Sequence, residues 1–126
     1  MSNAEVEFSI LAGSGAPVRA FRQGEIIFRE GDPATEIYVI KSGKVDVSSG
    51  NRQLATIGEN GIFGEMALID NAPRSATVVA ETDCIVVPVG EKQFLFMTSE
   101  TPYFALSLMR VLVGRLRAAN NPIASM

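Results

Sequence analysis

Histidine and tryptophan are both absent from this 126-residue chain, and cysteine occurs once. Without an imidazole there is no Ser-His-Asp triad, no histidine-based metal centre and no histidine-ligated haem. The single Cys84 can neither close an internal disulfide nor build an iron–sulfur site. The carboxylates do not cluster at ligand spacing, so no metal or catalytic cofactor is expected. Positive charge is scarce too: eleven Lys and Arg against fourteen Asp and Glu leave a net charge of -3. That excludes the electrostatic footprint of a protein that coats a polyanion, so direct nucleic-acid binding is not expected and any arginine that matters acts locally. There is no long apolar run and no secretory leader, so the expected protein is cytoplasmic, with a reduced thiol and no membrane insertion.

What is present is apolar: 47% of residues are hydrophobic and only 20% are charged, enough for one domain with a core of its own. From Phe21 onward, short apolar runs alternate with turn chemistry, the pattern of a β sandwich or barrel. Strands are expected over Glu25 to Phe28, Ile37 to Ile40, Lys44 to Ser48, Gln53 to Ile57, Thr77 to Ala80 and Cys84 to Val89. Turns are expected at Gly31-Asp32-Pro33, Ser42-Gly43, Ser49-Gly50-Asn51 and Glu59-Asn60-Gly61. Residues 5 to 20 carry few signals.

The end of the chain changes character. Glu91 to Met97 suits a short helix, and Thr101-Pro102 is a good N-cap and N1 pair for a second one reaching about Ala119. Ser107, Arg110, Gly114 and Arg117 form a narrow polar stripe on that helix. The apolar arc opposite is wide enough to pack on the barrel and also to form part of a subunit interface. Arg110, Arg115 and Arg117 read as solvated charges, and Cys84 as a buried core thiol. Only a few residues follow, too few for a helix-turn-helix module.

One stretch breaks the strand rhythm. Phe63 to Thr77 carries a turn ending in Gly64, a helix-compatible run from Met66 to Asp70, and a polar turn leading to Arg74. The free N–H groups at the start of such a run suit an anion. Glu65 supplies an acceptor-only carboxylate and Arg74 a five-donor guanidinium, one suited to hydroxyls and the other to phosphate oxygens. A long excursion inside a β scaffold is usually functional.

Gly64-Glu65-Met66-Ala67-Leu68 followed by Pro73-Arg74-Ser75-Ala76-Thr77 resembles the phosphate-binding cassette of cyclic nucleotide-binding domains, of the type in catabolite activator protein and protein-kinase regulatory subunits. Gly24 to Asp32 and Tyr38 to Val45 are similar to the family's early strands and turns. The resemblance implies a mainly β fold: a jelly-roll-like barrel, or double-stranded β-helix, of about eight strands. It adds a short cassette helix and a C-terminal helical subdomain. The domain would span residues 18–120, between an N-terminal segment (1–17) and a tail (121–126).

The same resemblance implies the site. Glu65 would accept from a ribose 2′-hydroxyl, Arg74 would pair with the exocyclic oxygens of a cyclic phosphate, and the backbone at Gly64, Ala67 and Ser75 would complete the cradle. Met66 belongs to the same run. Val47, Leu54, Phe63 and Ala76 would line an apolar slot for the sugar and base. In kinase relatives, alanine after the arginine accompanies cyclic AMP and threonine accompanies cyclic GMP. Ser75 lies between them, and cyclic AMP is the favoured ligand. The expected function is therefore a stand-alone sensor, not an enzyme, that signals through movement of its C-terminal helix to a second copy or an effector protein. The competing readings are a degenerate domain serving as an interaction scaffold, and a cupin-like enzyme, which would need histidine ligands. In relatives the long helix that follows touches the base; here it reads as missing or short, leaving the lid unassigned.

Overall fold

The computed structural model describes residues 17–65 and 71–120, the last five of these as backbone only. The strands are β1 (Arg19–Phe21), β2 (Ile26–Phe28), β3 (Glu36–Ser42), β4 (Val45–Ser49), β5 (Arg52–Ile57), β6 (Ile62–Phe63), β7 (Thr77–Ala80) and β8 (Cys84–Gly90). Helices α1 (Glu91–Glu100) and α2 (Pro102–Asn120) follow. Strand β3 decides where the core lies, because it is apolar on both faces. Ile37 and Val39 point one way and join Ile62, Val87, Val89, Phe104 and Leu108 under the helices. Tyr38 and Ile40 point the other way and join Phe28, Val45, Phe63, Val78, Ala80, Cys84 and Val86. Since side chains alternate with period two, a strand covered on both sides must be apolar at every position.

The strands form two four-stranded sheets, ordered β1-β8-β3-β6 and β2-β7-β4-β5. Every pairing is antiparallel, with Val39 opposite Val87 in the first sheet and Val45 opposite Ala80 in the second. This is the jelly-roll-like barrel the sequence leads one to expect. Gly43 allows the tight β3–β4 turn, with φ at +92° and a position where a Cβ would lie 2.3 Å from the Asp83 carbonyl oxygen. Cys84 is buried, as expected, with Sγ near the Lys44 and Thr82 carbonyl oxygens.

Three expectations need correction. Strands β1 and β6 were not foreseen, because stretches of three and two residues are too short to display a period. Glu25 and Lys44 fall outside their strands, whereas β3 extends to Glu36 and Ser42. The polar stripe on α2 is broken at Ser107, whereas Arg110 and Gly114 are exposed and the Arg117 side chain lies outside the described residues. Ser107 is buried, because it lies within one turn of Phe104 and Leu108 on the face that packs against the barrel. The apolar residues Leu106, Met109 and Val113 lie on the opposite, exposed face. Helix α1 ends at Thr101, whose N–H donates to the Met97 carbonyl and whose own carbonyl accepts from Phe104 N–H, so one residue joins both helices.

Candidate functional site

Strands β4 and β5, the end of β6 and the return into β7 surround a cavity of about 520 Å³. Its wall includes Val47, Leu54, Phe63 and Ala76, and its polar end includes Gly64, Glu65, Arg74 and Ser75. Eight of the ten residues expected in the site thus line one cavity. Met66 and Ala67, with the expected cassette helix through Asp70, lie outside the described residues.

Arg74 is only 7% exposed. Its backbone is held first: its N–H donates to the Asp32 carbonyl at 2.9 Å, and its own carbonyl accepts from Gly31 N–H at 2.8 Å. The Gly31-Asp32 turn therefore pins the far end of the cassette. The side chain is held next, with Nη1 donating to the Gly64 carbonyl at 3.2 Å and Nη2 to the Glu36 carbonyl at 3.0 Å. The guanidinium carbon lies 4.0 Å from the centre of the Phe28 ring. Buried Nε has no hydrogen-bond partner among the described residues. Burial pulls the guanidinium below its ordinary pKa, with Tyr38 and Glu36 opposing the shift, yet an arginine so perturbed still carries its charge at neutral pH. The result is a fixed buried cation with donors to spare, which is what an anion site requires.

Gly64 is where the backbone must pass close to that cation. Its φ is +78°, and a Cβ there would stand 2.7 Å from Arg74 Nη1. Asn71, on the other side of the cassette, also has positive φ, at 52°; asparagine tolerates this conformation better than most residues.

Glu65 is 7% exposed and does not pair with Arg74 among the described residues. It forms an ion pair with Arg115 of α2, whose Nη2 also donates to the Ile62 carbonyl at 2.6 Å. Arg115 itself lines the cavity. This corrects the reading of Arg115 as a solvated charge. Phe104, Leu108, Val111 and Arg115 recur at spacings of four, three and four, one continuous helix face, and the first three pack on the barrel. Periodicity alone would have found it. The second helix expected after Thr101-Pro102 is present as α2, which has 19 residues and reaches the cavity through Arg115. Arg110 is exposed, as expected.

The arrangement as a whole offers one buried cation, one buried carboxylate and an apolar wall, within reach of one small molecule. The model of the cyclic nucleotide-binding domain family matches residues 18–101. The chain belongs to this family. It is 32% identical over 111 residues to a CRP-like cAMP-activated global transcriptional regulator of Mycobacterium tuberculosis, an alignment covering 84% of this chain and 50% of the relative. It is 40% identical over 75 residues to a cGMP-dependent protein kinase of Toxoplasma gondii, covering 60% of this chain and 8% of the kinase. Among solved structures, the catabolite activator protein of Thermus thermophilus superposes with a TM-score of 0.80 at 32% identity, covering 98% of this chain and 59% of the other. The cyclic nucleotide-binding domain described here therefore spans about half the length of the curated regulator it matches. Among its described residues, no helix is long and apolar enough to cross a membrane.

Proposed function

We propose that this domain binds a cyclic nucleoside monophosphate, cyclic AMP in preference to cyclic GMP, and does not turn it over. The observation that carries the reading is the placement of Arg74 and Glu65, both buried, at the polar end of one cavity with an apolar wall. A cyclic phosphodiester presents a single charge on two exocyclic oxygens, which a planar guanidinium grips in two places. In this reading Arg74 takes the phosphate, with the backbone of Gly64, Ala67 and Ser75. Glu65 accepts from the ribose 2′-hydroxyl, beside Met66. Val47, Leu54, Phe63 and Ala76 flank the sugar and base. The cavity lies within the range of about 300 to 1,000 Å³ usual for small-ligand sites. The preference for cyclic AMP follows the serine that the catabolite activator protein also carries after its arginine, Ser75 itself standing between the alanine and the threonine of the kinase sites, and the named relatives include proteins described by each nucleotide.

Residues 18–120 form the sensing unit, in a cytoplasmic setting that suits the reduced Cys84. Helix α2 is the output. Through Arg115 it holds the same carboxylate that the ribose would use, so occupation of the cavity and the packing of α2 bear on one group. The exposed apolar residues Leu106, Met109 and Val113 face away from the barrel, where a second copy or an effector protein would cover them.

A thermal-unfolding panel tests the proposal. At a hundredfold excess over its dissociation constant, cyclic AMP should stabilise the protein by about 2.7 kcal/mol, a shift of about 10 °C. The same concentration of 5′-AMP, a dianion without the ring, should leave Tm unchanged. No shift with either cyclic nucleotide would remove the proposal.

A further inference from the structure

We propose that Tyr38 is a positioning residue for Arg74, held in that role by Glu36 and Arg19. The inference rests on reading Arg74 as the holder of the ligand's phosphate. The Arg74 guanidinium carbon lies 5.5 Å from the centre of the Tyr38 ring as well as 4.0 Å from that of Phe28. Those two rings are stacked on each other at 6.1 Å, and Tyr38 stacks on Phe63 at 5.1 Å. The cation is therefore set against two faces of a three-ring cluster at the edge of the cavity.

Packing alone would ask only for a phenylalanine at position 38. The hydroxyl instead donates to Glu36 Oε1 at 3.0 Å, and Arg19 Nη1 donates both to that hydroxyl at 3.2 Å and to the Glu36 carboxylate. Glu36 is thus the hinge of the arrangement. Its main-chain carbonyl takes Arg74 Nη2, while its side chain takes the ring that flanks Arg74. One residue of β3 fixes the guanidinium by two routes, and Arg19 of β1 locks the second.

The function of such a clamp is preorganisation. An arginine on a flexible stem must surrender rotamers when it captures a phosphate, and a stem already fixed surrenders fewer. A cation held against ring faces also stays charged in a site that would otherwise oppose the charge.

The test uses the full chain and follows cyclic AMP and cyclic GMP binding by calorimetry in Tyr38→Leu, Tyr38→Phe and Glu36→Gln, with Val87→Ala as a control. Val87 lies in the core cluster under the helices, away from the cavity. Affinity should fall about tenfold in Tyr38→Leu, which loses the ring, and up to about threefold in Tyr38→Phe, which loses the tie, and Glu36→Gln, which weakens it by removing the charge while keeping an acceptor oxygen. Val87→Ala should lower Tm and leave affinity alone. The side-chain Nε–H resonance of Arg74 in arginine-labelled protein gives a second readout. It should be ring-shifted in the ligand-free chain by Phe28 and Tyr38 together and change position in Tyr38→Leu, which keeps only the Phe28 contribution; an unmoved signal counts against the clamp. Unchanged affinity in both Tyr38 variants, or an equal loss in Val87→Ala, overturns the inference. If Tyr38→Leu does not fold, Tyr38→Phe and Glu36→Gln carry the test. If the unmodified chain binds neither nucleotide, the proposed function fails, while the ring-shifted signal and its displacement in Tyr38→Leu still decide the clamp.

Discussion

Arg74→Lys separates charge from geometry at the centre of the site. A lysine keeps the positive charge but offers a compact ammonium in place of a planar fork. Arg74 now donates to two carbonyls in different parts of the chain, Gly64 at 3.2 Å and Glu36 at 3.0 Å, and presents its plane to Phe28 at 4.0 Å. An ammonium on a shorter stem reaches one of these carbonyls at most. Losing one charge-assisted hydrogen bond to the ligand phosphate costs about 1.5 to 3 kcal/mol. Weaker stacking on Phe28 adds about 0.5 to 1 kcal/mol. The expected loss of affinity for cyclic AMP is therefore about 2 to 4 kcal/mol, or about 30- to 1,000-fold. By the same magnitudes the ligand-free chain should lose about 2 to 4 kcal/mol of stability, against the roughly 5 to 15 kcal/mol usual for a domain, so the protein remains folded for the titration. Calorimetry at fixed ionic strength measures the first quantity and thermal unfolding the second. An affinity for Arg74→Lys within threefold of the unmodified chain would refute the assignment of the phosphate to this guanidinium.

Other perturbations probe the surroundings. Gly64→Ala places a methyl 2.7 Å from Arg74 Nη1 at a φ of +78°; stability should fall by about 1 to 2 kcal/mol from backbone strain alone, with weakened binding, both read from melts and titrations. Arg115→Gln removes the partner of Glu65. Because the Arg115 side chain is 38% exposed, the cost is expected to be about 1 kcal/mol, with faster amide hydrogen exchange in the last turns of α2; unchanged exchange would mean that the ion pair does not hold the helix. Burial, then the hydrogen bond to Glu36, raises the pKa of Tyr38. The folded state therefore keeps this phenol protonated where the unfolded chain releases the proton. The associated stability is fully present below about pH 10 and is lost as pH rises beyond it. Tyr38→Phe should flatten that alkaline loss in unfolding curves measured from pH 8 to 11.

Much of this is legible in the amino-acid sequence, for identifiable reasons. The run Ile37 to Ile40 signals a strand, and both core clusters meet on it. Gly64, Glu65, Arg74 and Ser75 are close in sequence, so a short return of chain is enough to bring them to one cavity. Arg115 was missed because its charge drew a reading as a solvated residue, although its place in the Phe104-Leu108-Val111 series marks the packed face. Its partner lies 50 residues away, and no local pattern encodes a contact of that separation. The tie among Arg19, Glu36 and Tyr38 was hidden for the same reason: Arg19 belongs to a three-residue strand with no visible period, and only the pairing of β1 with β8 beside β3 brings it to Glu36.

The most direct measurement is calorimetry of the unmodified chain with cyclic AMP, run beside its 2′-deoxy analogue. Cyclic AMP should give saturable heat at one site per chain. The deoxy compound, which leaves the Glu65 carboxylate without its hydroxyl partner, should bind more weakly by about 1 to 3 kcal/mol. Absence of heat with both cyclic AMP and cyclic GMP, or equal affinity for the deoxy compound, would contradict a cavity built around Arg74 for the phosphate and Glu65 for the ribose.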